Sequence, residues 1–579
     1  MSWIFFGSPL NIKKMKKLLL FITLIGLGLH TPAQNYAWAK NIGGTSDDYG
    51  TGISTDASGN IYTIGNFSGT VDFDPGSGTY NLTAVGNYDI FISKLDAAGN
   101  FIWAKQMGGT DYNYGWTIAT DLAGNVYPAG FFYGTVDFDP GSGTYNLTSG
   151  GSSDIFISKL DANGNFVWAK QIGSTGDDHC YSITTDISGN IYATGNFKYT
   201  VDFDPGAGTY NLTSAGVDDP YVCKLDGSGN FVWARHFGGI LSEQSFSIKV
   251  GKSGNVYTTG RFQGTSDFDP GAGTFNLTAL GGEDMYIIKL DGSGNFVWAR
   301  HFGGSMAEMG YSLTLDSLDN IYTAGFFQGT VDFDPGASTF NLTSAGNFDI
   351  FVNKIDSAGN FVWVKQVGGT GNDYVYSIES DVLGNICYTG YFPGTVDFDP
   401  GASIFNLTSA GNNDIFVSKL DPLGNFISAK RVGGFDNEYG ICITTDGRGN
   451  IYTTGNFRGM VDFDPSTSTY NITSTGITDA FILKLTSNST GTISPTSCNS
   501  YVSPSSNYTW TISGTYSDTI QNTAGYDSII TINLTINTVD TLVTNTGSTL
   551  TSNANGATYR WLNCDSNNVV IAGATTQSF

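Results

Sequence analysis

The chain has 579 residues, of which 40% are hydrophobic, 14% aromatic and 13% charged, and its formal net charge is −25. The apolar content is sufficient for a large core, while the 77 glycines and the low charge favour β-structure with many turns. A surface this acidic repels nucleic acid and anionic lipid, which argues against a nucleic-acid-binding protein and favours cations or basic protein surfaces as partners.

The N-terminus carries the pattern of a secretory signal peptide. Four lysines surround Met15, an apolar run extends from Leu18 to Leu29, and Thr31-Pro32-Ala33 precedes Gln34. The run is too short to span a bilayer, and Met15 is an alternative start of translation. We expect cleavage near Ala33, which removes residues 1–33 and shifts the formal charge to −29 because four lysines and no acids are lost. No later stretch is apolar enough to cross a membrane.

A strict repeat governs residues 34–487. The motif Asp-Phe-Asp-Pro recurs seven times, and every step is 65 residues without insertion or deletion. Such a fixed period indicates one structural unit used seven times. The motif begins at Asp72, Asp137, Asp202, Asp267, Asp332, Asp397 and Asp462.

Each repeat predicts four short strands, which we call a, b, c and d. In the third copy they are YSITTD, IYATGNF, DDPYVCKLD and FVWAR, rich in alternating Ile, Val, Tyr, Phe and Thr. The a–b and c–d connections share the pattern Asp-x-x-Gly-Asn, as in Asp186 to Asn190. Glycine at positive φ and an Asp side chain that bonds backbone amides predict tight hairpins there.

Seven four-stranded antiparallel meanders predict an all-β fold, a seven-bladed β-propeller. The first d strand, around Trp38, precedes any a, b or c strand, and the last c strand, Ala480 to Leu485, has no d strand behind it. We therefore expect the N-terminal strand to complete the seventh blade, which removes an exposed sheet edge. The other d strands place Trp103, Trp168, Trp233, Trp298 and Trp363 on the same grid, and Ser428 replaces the last.

The motifs DxxGNxYxTG, DIFISKLDxxGNFVWAK and GGTxxDxYG resemble the bacterial β-propeller repeat family over residues 35 to about 487. The resemblance implies the propeller architecture. Members of that family are mainly secreted and surface proteins, so it also implies a bacterial exported protein, extracellular or at the cell surface, and says little about chemistry.

The long connections predict where the protein meets its surroundings. Because antiparallel strands alternate in direction, the b–c and d–a connections share one face, opposite the tight turns. The b–c insertion VDFDPGSGTYNLT, Val71 to Thr83, predicts an extra hairpin with Val71, Phe73, Tyr80 and Leu82 on its apolar side.

The polar side of this hairpin is the candidate metal site. Closely spaced carboxylates repel unless a cation or hydrogen bonds compensate them, and Ca²⁺ favours oxygen clusters. The motif lacks the third acidic ligand of a DxDxDG calcium loop, so the alternative is that the aspartates fix the turn by accepting backbone amides. The candidate ligands are Asp72, Asp74, Asp137, Asp139, Asp202, Asp204, Asp267, Asp269, Asp332, Asp334, Asp397, Asp399, Asp462 and Asp464.

Catalysis has little support in the sequence. His30 lies in the signal peptide, His236 and His301 share one repeat position, and His179 is alone. A nearly uniform ring gives no blade the distinct set of groups that catalysis requires. The fourth repeat diverges most, with Glu243, Lys249 and Lys252, which we interpret as drift. No cofactor is predicted besides Ca²⁺.

Two further patterns are interpreted as structural. The seven Asn-Leu/Ile-Thr tripeptides, from Asn81 to Asn471, match glycosylation acceptors but are expected to be strand residues. The six cysteines do not follow the repeat period and form no CxxC, so neither a disulfide framework nor a zinc site is built into the unit.

The period stops after about Ser487. Residues 488–537 alternate apolar and polar side chains and end in a clear strand, Ile529 to Ile536, which predicts a small immunoglobulin-like β-sandwich. This segment resembles modules near the C-termini of secreted bacterial adhesin-like proteins. That resemblance implies a disulfide from Cys498, but Tyr526 stands where the partner cysteine is usual. Residues 538–579 predict an incomplete second β-module, after which such proteins often carry a type IX secretion tail.

The leading hypothesis is a non-catalytic exported protein that acts in surface adhesion, matrix assembly or ligand capture through the acidic loop face. One alternative is a propeller-type enzyme acting on polysaccharide in the central channel, and another is a glycan-binding propeller. An enzyme should show blade-specific polar or ionisable residues at the channel mouth, whereas a binding ring should repeat the same residues in every blade.

Overall fold

The computed structural model describes residues 34–486, 489–498, 500–521, 527–537, 543–547, 549–552, 562–563, 569–572, 576 and 578. The predicted signal peptide, residues 1–33, lies outside them. The described residues form strands and turns only, as the all-β prediction requires. No helix of membrane-spanning length and hydropathy is found in this part of the chain. The chain divides into two compact units between Ser487 and Asn488.

The first unit contains 41 strands. Those of the first three repeats are β1 (Asn35–Gly44), β2 (Asp48–Thr55), β3 (Ile61–Phe67), β4 (Thr70–Asp72), β5 (Asn81–Thr83), β6 (Asp89–Leu95), β7 (Phe101–Gly109), β8 (Asn113–Thr120), β9 (Val126–Asp137), β10 (Asn146–Leu160), β11 (Phe166–Ile172), β12 (His179–Thr185), β13 (Ile191–Phe197), β14 (Thr200–Asp202), β15 (Asn211–Thr213), β16 (Asp219–Leu225) and β17 (Phe231–His236).

The remaining strands of this unit follow the same order. They are β18 (Gly238–Gly239), β19 (Gln244–Val250), β20 (Val256–Phe262), β21 (Thr265–Asp267), β22 (Asn276–Thr278), β23 (Asp284–Leu290), β24 (Phe296–Gly304), β25 (Glu308–Leu315), β26 (Ile321–Phe327), β27 (Thr330–Asp332), β28 (Asn341–Thr343), β29 (Asp349–Ile355), β30 (Phe361–Val367), β31 (Tyr374–Ser380), β32 (Ile386–Phe392), β33 (Thr395–Asp397), β34 (Asn406–Thr408), β35 (Asp414–Leu420), β36 (Phe426–Gly434), β37 (Tyr439–Thr445), β38 (Ile451–Phe457), β39 (Met460–Asp462), β40 (Asn471–Thr473) and β41 (Asp479–Thr486).

Each repeat forms an antiparallel sheet in the order a-b-c-d, which we call a blade and number 1 to 7 along the chain. Blade 1 is β2-β3-β6-β7, and the same order recurs through blade 6, β31-β32-β35-β36. The last sheet has the order β37-β38-β41-β1, so the N-terminal strand supplies its d strand. Its register pairs Ala39 with Leu483 and Ile42 with Ala480. The predicted pairing of the two ends of the array is confirmed.

Neighbouring blades are joined by side chains that the repeat supplies to each junction. Lys94 on strand c lies 4.8 Å from the Tyr62 ring of its own blade and donates a hydrogen bond of 2.9 Å to Ala162 O in the next c–d turn. Trp103 packs under the same turn, at Gly164, where φ is +78° and a Cβ would lie 3.1 Å from the indole. Lys484 in blade 7 makes the equivalent bond, 2.7 Å, to Ala97 O in blade 1. The last and first blades are therefore neighbours.

The core lies between and within the blades. Buried clusters combine residues from adjacent blades, such as Ile64 and Ile90 of blade 1 with Ile118 and Phe132 of blade 2. Another cluster joins Ile42 of β1 to Ile53 of blade 1. Cys180, Cys223, Cys387 and Cys442 are free thiols, all but Cys442 fully buried.

The second unit has the strands β42 (Ser489–Ile493), β43 (Thr496–Cys498), β44 (Tyr501–Val502), β45 (Thr509–Trp510), β46 (Gly514–Gln521), β47 (Asp527–Asn537), β48 (Val543–Thr546), β49 (Thr549–Ser552), β50 (Leu562–Asn563) and β51 (Val569–Val570). The predicted strand Ile529 to Ile536 is confirmed within β47. It pairs in parallel with β42 and β43 and antiparallel with β46. Tyr526, Cys564 and the Cys498 side chain lie outside the described residues, and with them the implied disulfide.

The pairing of β1 with β41 can be tested at Ile42, which is buried between blades 7 and 1. We expect Ile42→Asp to lower the midpoint of thermal unfolding strongly, because an unpaired charge in an apolar junction costs several kcal/mol. Ile102→Asp, on the exposed side of β7, is the matched control and should change the midpoint little. Equal effects in differential scanning calorimetry would contradict the closing role of β1.

Candidate functional site

The acidic hairpin, Val71–Thr83 and its six equivalents, forms as predicted. β4 pairs with β5, and Val71 and Phe73 are fully buried. The prediction that the Tyr80 side chain packs inward is wrong, because this side chain is 39% exposed. Its ring lies 5.1 Å from the ring of Phe101. The Asn-Leu/Ile-Thr tripeptides are the outer strands of these hairpins, as expected; their first residues are Asn81, Asn146, Asn211, Asn276, Asn341, Asn406 and Asn471.

The hairpin aspartates accept hydrogen bonds from their own turn. Asp72 Oδ1 accepts from the amides of Asp74 (3.0 Å) and Tyr80 (2.8 Å), and Asp74 Oδ1 accepts from the amide of Gly76 (2.8 Å). The same pattern recurs in the other six copies, with Ser466 in place of the glycine in the last. Both carboxylates of each copy therefore lie in one turn, and both accept hydrogen bonds from its backbone amides.

Calcium binding by these pairs stays a prediction. Among the described residues, no group of three or more His, Cys, Asp or Glu side chains is placed to hold a metal ion. Each hairpin offers two carboxylates, and one oxygen of each is engaged with backbone amides. The turn-fixing alternative therefore accounts for the repeated motif without a cation.

Substitutions at Asp202 distinguish the two roles. Asp202→Asn keeps a side-chain oxygen that can accept from the amides of Asp204 and Tyr210, whereas Asp202→Ala removes it. We expect only the alanine variant to make this hairpin sensitive to limited proteolysis, because its two amides lose their acceptor.

Isothermal titration calorimetry with Ca²⁺ is the control. We expect no heat of binding from the wild type, and none from a variant with Asn at Asp202 and its six equivalents. Calcium heat in the wild type that the asparagine variant abolishes would contradict the turn-fixing role.

Two further sets of acids, which we call the junction acids, are fully buried where blades meet, and sequence reasoning missed them. One opens strand c: Asp89, Asp154, Asp219, Asp284, Asp349, Asp414 and Asp479. The other opens strand a: Asp48, Asp178, Glu243, Glu308, Asp373 and Glu438, with Asn113 at the remaining position. Both sets recur every 65 residues, and this recurrence is the sequence feature from which they could have been found.

The junction acids hold the long connections by bonding backbone amides. Each accepts from the amide four residues earlier, as Asp89 does from Val85 (2.9 Å) and Glu438 from Gly434 (2.9 Å). Gly108 passes so close that a Cβ would lie 2.0 Å from Asp89 Oδ2. The glycines of the d–a loop are therefore required by close approach to a carboxylate.

Strand d supplies a polar partner to six of the seven described strand-c acids, all but Asp219. Gln106 Nε2 donates to Asp89 Oδ2 at 2.6 Å, and Arg431 Nη1 donates to Asp414 Oδ2 at 2.6 Å. His301 occupies the same repeat position, and its Nε2 lies 2.5 Å from Asp284 Oδ2. The repeat position shared by His236 and His301 is thus a structural one. His179 lies elsewhere, between Ser153 Oγ and Tyr181 OH at 3.0 Å each.

Burial shifts the protonation of the strand-a acids. Desolvation raises the pKa of Asp178 to about 6, of Asp48 and Asp373 to about 7, and of Glu308 and Glu438 to about 8. Within the described residues, Glu438 Oε1 and Asp414 Oδ1 each lack a hydrogen-bond partner. Burial raises the pKa of Asp89, and a hydrogen bond from Asn113 opposes part of that shift. Asn113 is thus the neutral counterpart of a protonated acid at this position.

Stability should fall as the pH rises. The unfolded-state pKa of these acids is about 4, and burial raises the folded-state pKa to about 6 for Asp178 and about 8 for Glu438. The stabilising free energy from such an acid is fully present below its unfolded-state pKa and is lost as the pH rises through its folded-state pKa. We expect the unfolding midpoint to decrease between about pH 5 and pH 9, and Glu438→Gln to reduce that decrease. The charged groups facing Glu438 are Asp414, Asp436 and Arg431.

Asn113→Asp is the reverse control, because it places a titratable acid at the one strand-a junction position that is neutral. We expect this variant to show a steeper decrease of the unfolding midpoint with pH. An identical pH profile for wild type, Glu438→Gln and Asn113→Asp would contradict the assignment of protonated acids at the junctions.

The a strands of all seven blades line one central cavity of about 350 Å³, which we call the channel. A second cavity, of about 160 Å³, adjoins it and is lined by Trp116, Tyr181, Phe246 and Tyr311, which also border the channel. These residues and Tyr376 occupy the same repeat position in blades 2 to 6, and we call them the collar. Thr51 and Ile441 occupy it in blades 1 and 7. Sequence reasoning missed the collar, although its spacing is visible on the 65-residue grid.

Deeper along the a strands lies the channel floor, which contains an ion pair. Lys249 Nζ of blade 4 lies 2.7 Å from Glu379 Oε2 of blade 6, and Thr314 of blade 5 donates to Glu379 Oε1 at 2.8 Å. The side chains of Lys249 and Glu379 remain 33% and 22% exposed. The divergence of blade 4, interpreted as drift from the sequence, therefore contributes an ionisable group to the channel.

The mouth of the channel, at the start of the a strands, has two aromatic sectors. In blades 1 and 2, Tyr49 lies 6.1 Å from Tyr88, and Tyr114 lies 5.0 Å from Phe131. In blades 5 to 7, rings follow one another at 4.5 to 5.2 Å from Phe326 through Tyr374 and Tyr391 to Tyr439. Both sectors continue into the collar through Trp116–Phe131 and Tyr311–Phe326 contacts.

A charged sector in blades 3 and 4 separates the aromatic ones. Lys198 pairs with Asp177 at 2.9 Å, Asn196 donates to Asp218 at 2.8 Å, and Arg261 pairs with Glu283. The repeat position of Arg261 holds a different set in the other blades: Asn66, Phe131, Asn196, Phe326, Tyr391 and Asn456. The ring is therefore not uniform at the mouth, where residues differ between blades. The expectation that no blade carries a catalytic set stays a prediction.

Comparisons with known proteins agree with the topology. A family model described as a beta-propeller repeat matches residues 167–196, from strand d of blade 2 to strand b of blade 3. An uncharacterized WD repeat-containing protein of Acanthamoeba polyphaga mimivirus is 25% identical over 503 residues, covering 72% of this chain and 36% of that protein. The regulatory protein FlaEY of Caulobacter vibrioides is 22% identical over 460 residues, covering 74% and 45%. The chain thus spans less than half the length of these relatives.

The solved structures that the chain matches include the RRP9 WD40 repeats, at 7% identity and a TM-score of 0.35, covering 78% of this chain and 99% of that one. Sqt1 from Chaetomium thermophilum has 10% identity and a TM-score of 0.36 over the same shares. The strand order of the described residues shows an all-β repeat protein, and residues 167–196 match the beta-propeller repeat.

Proposed function

We propose that the protein is a non-catalytic exported binding protein, built as a closed seven-bladed propeller, that contacts its ligand at the channel mouth. The observation that carries this proposal is where the repeats differ. Residues that are constant across blades bond backbone or fill the core, whereas the residues around the mouth change from blade to blade. Selection for a fold accounts for the first set, and recognition of an asymmetric ligand accounts for the second.

The closed ring is supported by bonds that return from the last blade to the first. Thr55 Oγ1 of blade 1 donates to Thr445 O of blade 7 at 3.1 Å, as Thr120 Oγ1 of blade 2 does to Thr55 O. Asp48 N likewise donates to Thr478 O at 2.8 Å. With β1 paired to β41, every blade has two neighbours.

The mouth is a better binding surface than the acidic hairpins. The hairpin carboxylates bond the amides of their own turn, and all seven copies are alike. The mouth instead combines aromatic rings with charged groups, as binding sites commonly do. Export through the N-terminal signal and display on immunoglobulin-like modules complete the proposal, and a role in adhesion or matrix assembly at a bacterial surface follows from them.

An enzyme acting on polysaccharide is the second candidate, because blade-specific residues at the mouth are the feature expected of an enzyme and a channel with an ion pair in it is a possible active site. Hydrolysis of a glycosidic bond commonly requires two carboxylates flanking the bond. Among the described residues that line the channel, Glu379 is the only carboxylate, and Lys249 and Thr314 already engage it. This arrangement favours binding over hydrolysis.

The test compares two variants of the full mature chain for retention on a bacterial cell-envelope fraction. The mouth variant carries Tyr49→Ala, Tyr114→Ala and Tyr374→Ala; the hairpin variant carries Asn at Asp72 and its six equivalents. We expect the mouth variant to lose retention and the hairpin variant to keep it, with circular dichroism confirming both folds. Loss in the hairpin variant alone would return the function to the acidic face, and retention by both variants would overturn the proposal.

A further inference from the structure

The channel has an aromatic wall that continues from blade to blade. Trp116 lies 5.5 Å from Tyr181, Tyr181 lies 5.9 Å from Phe246, Phe246 stacks on Tyr311 at 5.1 Å with an interplanar angle of 15°, and Tyr311 lies 5.0 Å from Tyr376. All five side chains are half-buried and border open space. Five consecutive blades thus present ring surface to the channel.

Hydrogen-bonding groups lie deeper in the channel than this wall. The floor offers the Lys249 ammonium, the Glu379 carboxylate and the hydroxyls of Ser54, Thr184 and Thr444. The channel volume of about 350 Å³ lies at the small end of the range for small-molecule sites. A ligand that enters from the mouth therefore meets aromatic side chains first and the floor's charged and hydroxyl groups last.

We propose that the channel binds the terminal ring of a neutral carbohydrate, stacked on the collar and hydrogen-bonded at the floor. This inference rests on the proposed function, which places the ligand at the same mouth. A pyranose has apolar C–H faces that lose water against aromatic rings, and hydroxyls at its edges that both donate and accept. The collar matches the faces, and the Lys249–Glu379 pair with its neighbouring hydroxyls matches the edges.

Other ligand classes fit these groups less well. An anionic ligand is opposed by the strongly negative chain. A quaternary ammonium would use the aromatic rings, but at the floor it would meet Glu379 already paired with the Lys249 ammonium. A neutral sugar is the ligand that uses both layers.

The experiment uses the full mature chain and a panel of methyl glycosides of glucose, mannose, galactose and N-acetylglucosamine, with choline as the contrary probe. Saturation-transfer NMR and titration calorimetry measure binding. We expect at least one glycoside to bind and choline not to bind. Tyr311→Ala should weaken that glycoside about tenfold, through lost ring contact, and Tyr311→Phe should retain it. The double variant Lys249→Met with Glu379→Gln, which leaves no unpaired charge, should weaken it as well.

Tyr199→Ala is the control, because Tyr199 is 63% exposed and does not line the channel. Binding of no glycoside, binding of choline instead, or equal binding by the collar variants and Tyr199→Ala would each overturn the carbohydrate assignment. If the mouth variant still loses retention on the envelope fraction while no glycoside binds, the proposed function stands and the ligand class is wrong. If neither holds, both proposals fail.

Discussion

The structure depends on contacts between a blade and the c–d turn of the next one. In blades 1, 2, 4, 5 and 7 a strand-c lysine donates to a carbonyl of that turn. Strand-d tryptophans such as Trp103 pack beneath its glycine. A single blade cannot satisfy these groups, so stability depends on neighbours, and the first and last blades must meet. Lys484 to Ala97 O and β1 to β41 supply that last junction. The repeat is therefore constrained in length and in the residues that touch the next copy.

This constraint explains where the sequence varies. The junction acids, the turn aspartates and the hairpin aspartates all bond backbone, so replacing one leaves amides without acceptors. Blades 4 and 5 show a compensated exception. Gly251 replaces the turn aspartate of blade 4, and Asp319, at a position held by glycine in the other blades, accepts from the Lys252 amide at 3.0 Å instead. The collar side chains instead contact one another and border open space, and their residue types differ from blade to blade.

The contrast also shows how repetition can mislead an assignment of function. The most conspicuous motif has two aspartates in each of seven copies. It forms a turn in which these carboxylates accept hydrogen bonds from the backbone amides. The groups that converge on open space are inconspicuous in the chain, because Trp116, Tyr181 and Phe246 are different residue types 65 positions apart. A binding site for an asymmetric ligand has to break the symmetry of its scaffold, so it is found among the positions that differ.

Sequence alone determined the all-β class, the order of the four strands in each repeat, the hairpin with Val71 and Phe73 inward, and the pairing of the two ends of the array. A two-residue period, glycine turns and a 65-residue repeat are local signals that survive in a single chain. Tertiary structure decided that Asp89 and Asp48 are buried at junctions, that Lys249 meets Glu379 across two blades, and that the collar and mouth border one cavity. The residues in these contacts are far apart in the chain, for example 65 positions for Trp116 and Tyr181 and 130 positions for Lys249 and Glu379. They meet because the array of blades curves. No periodicity within one repeat reports that curvature.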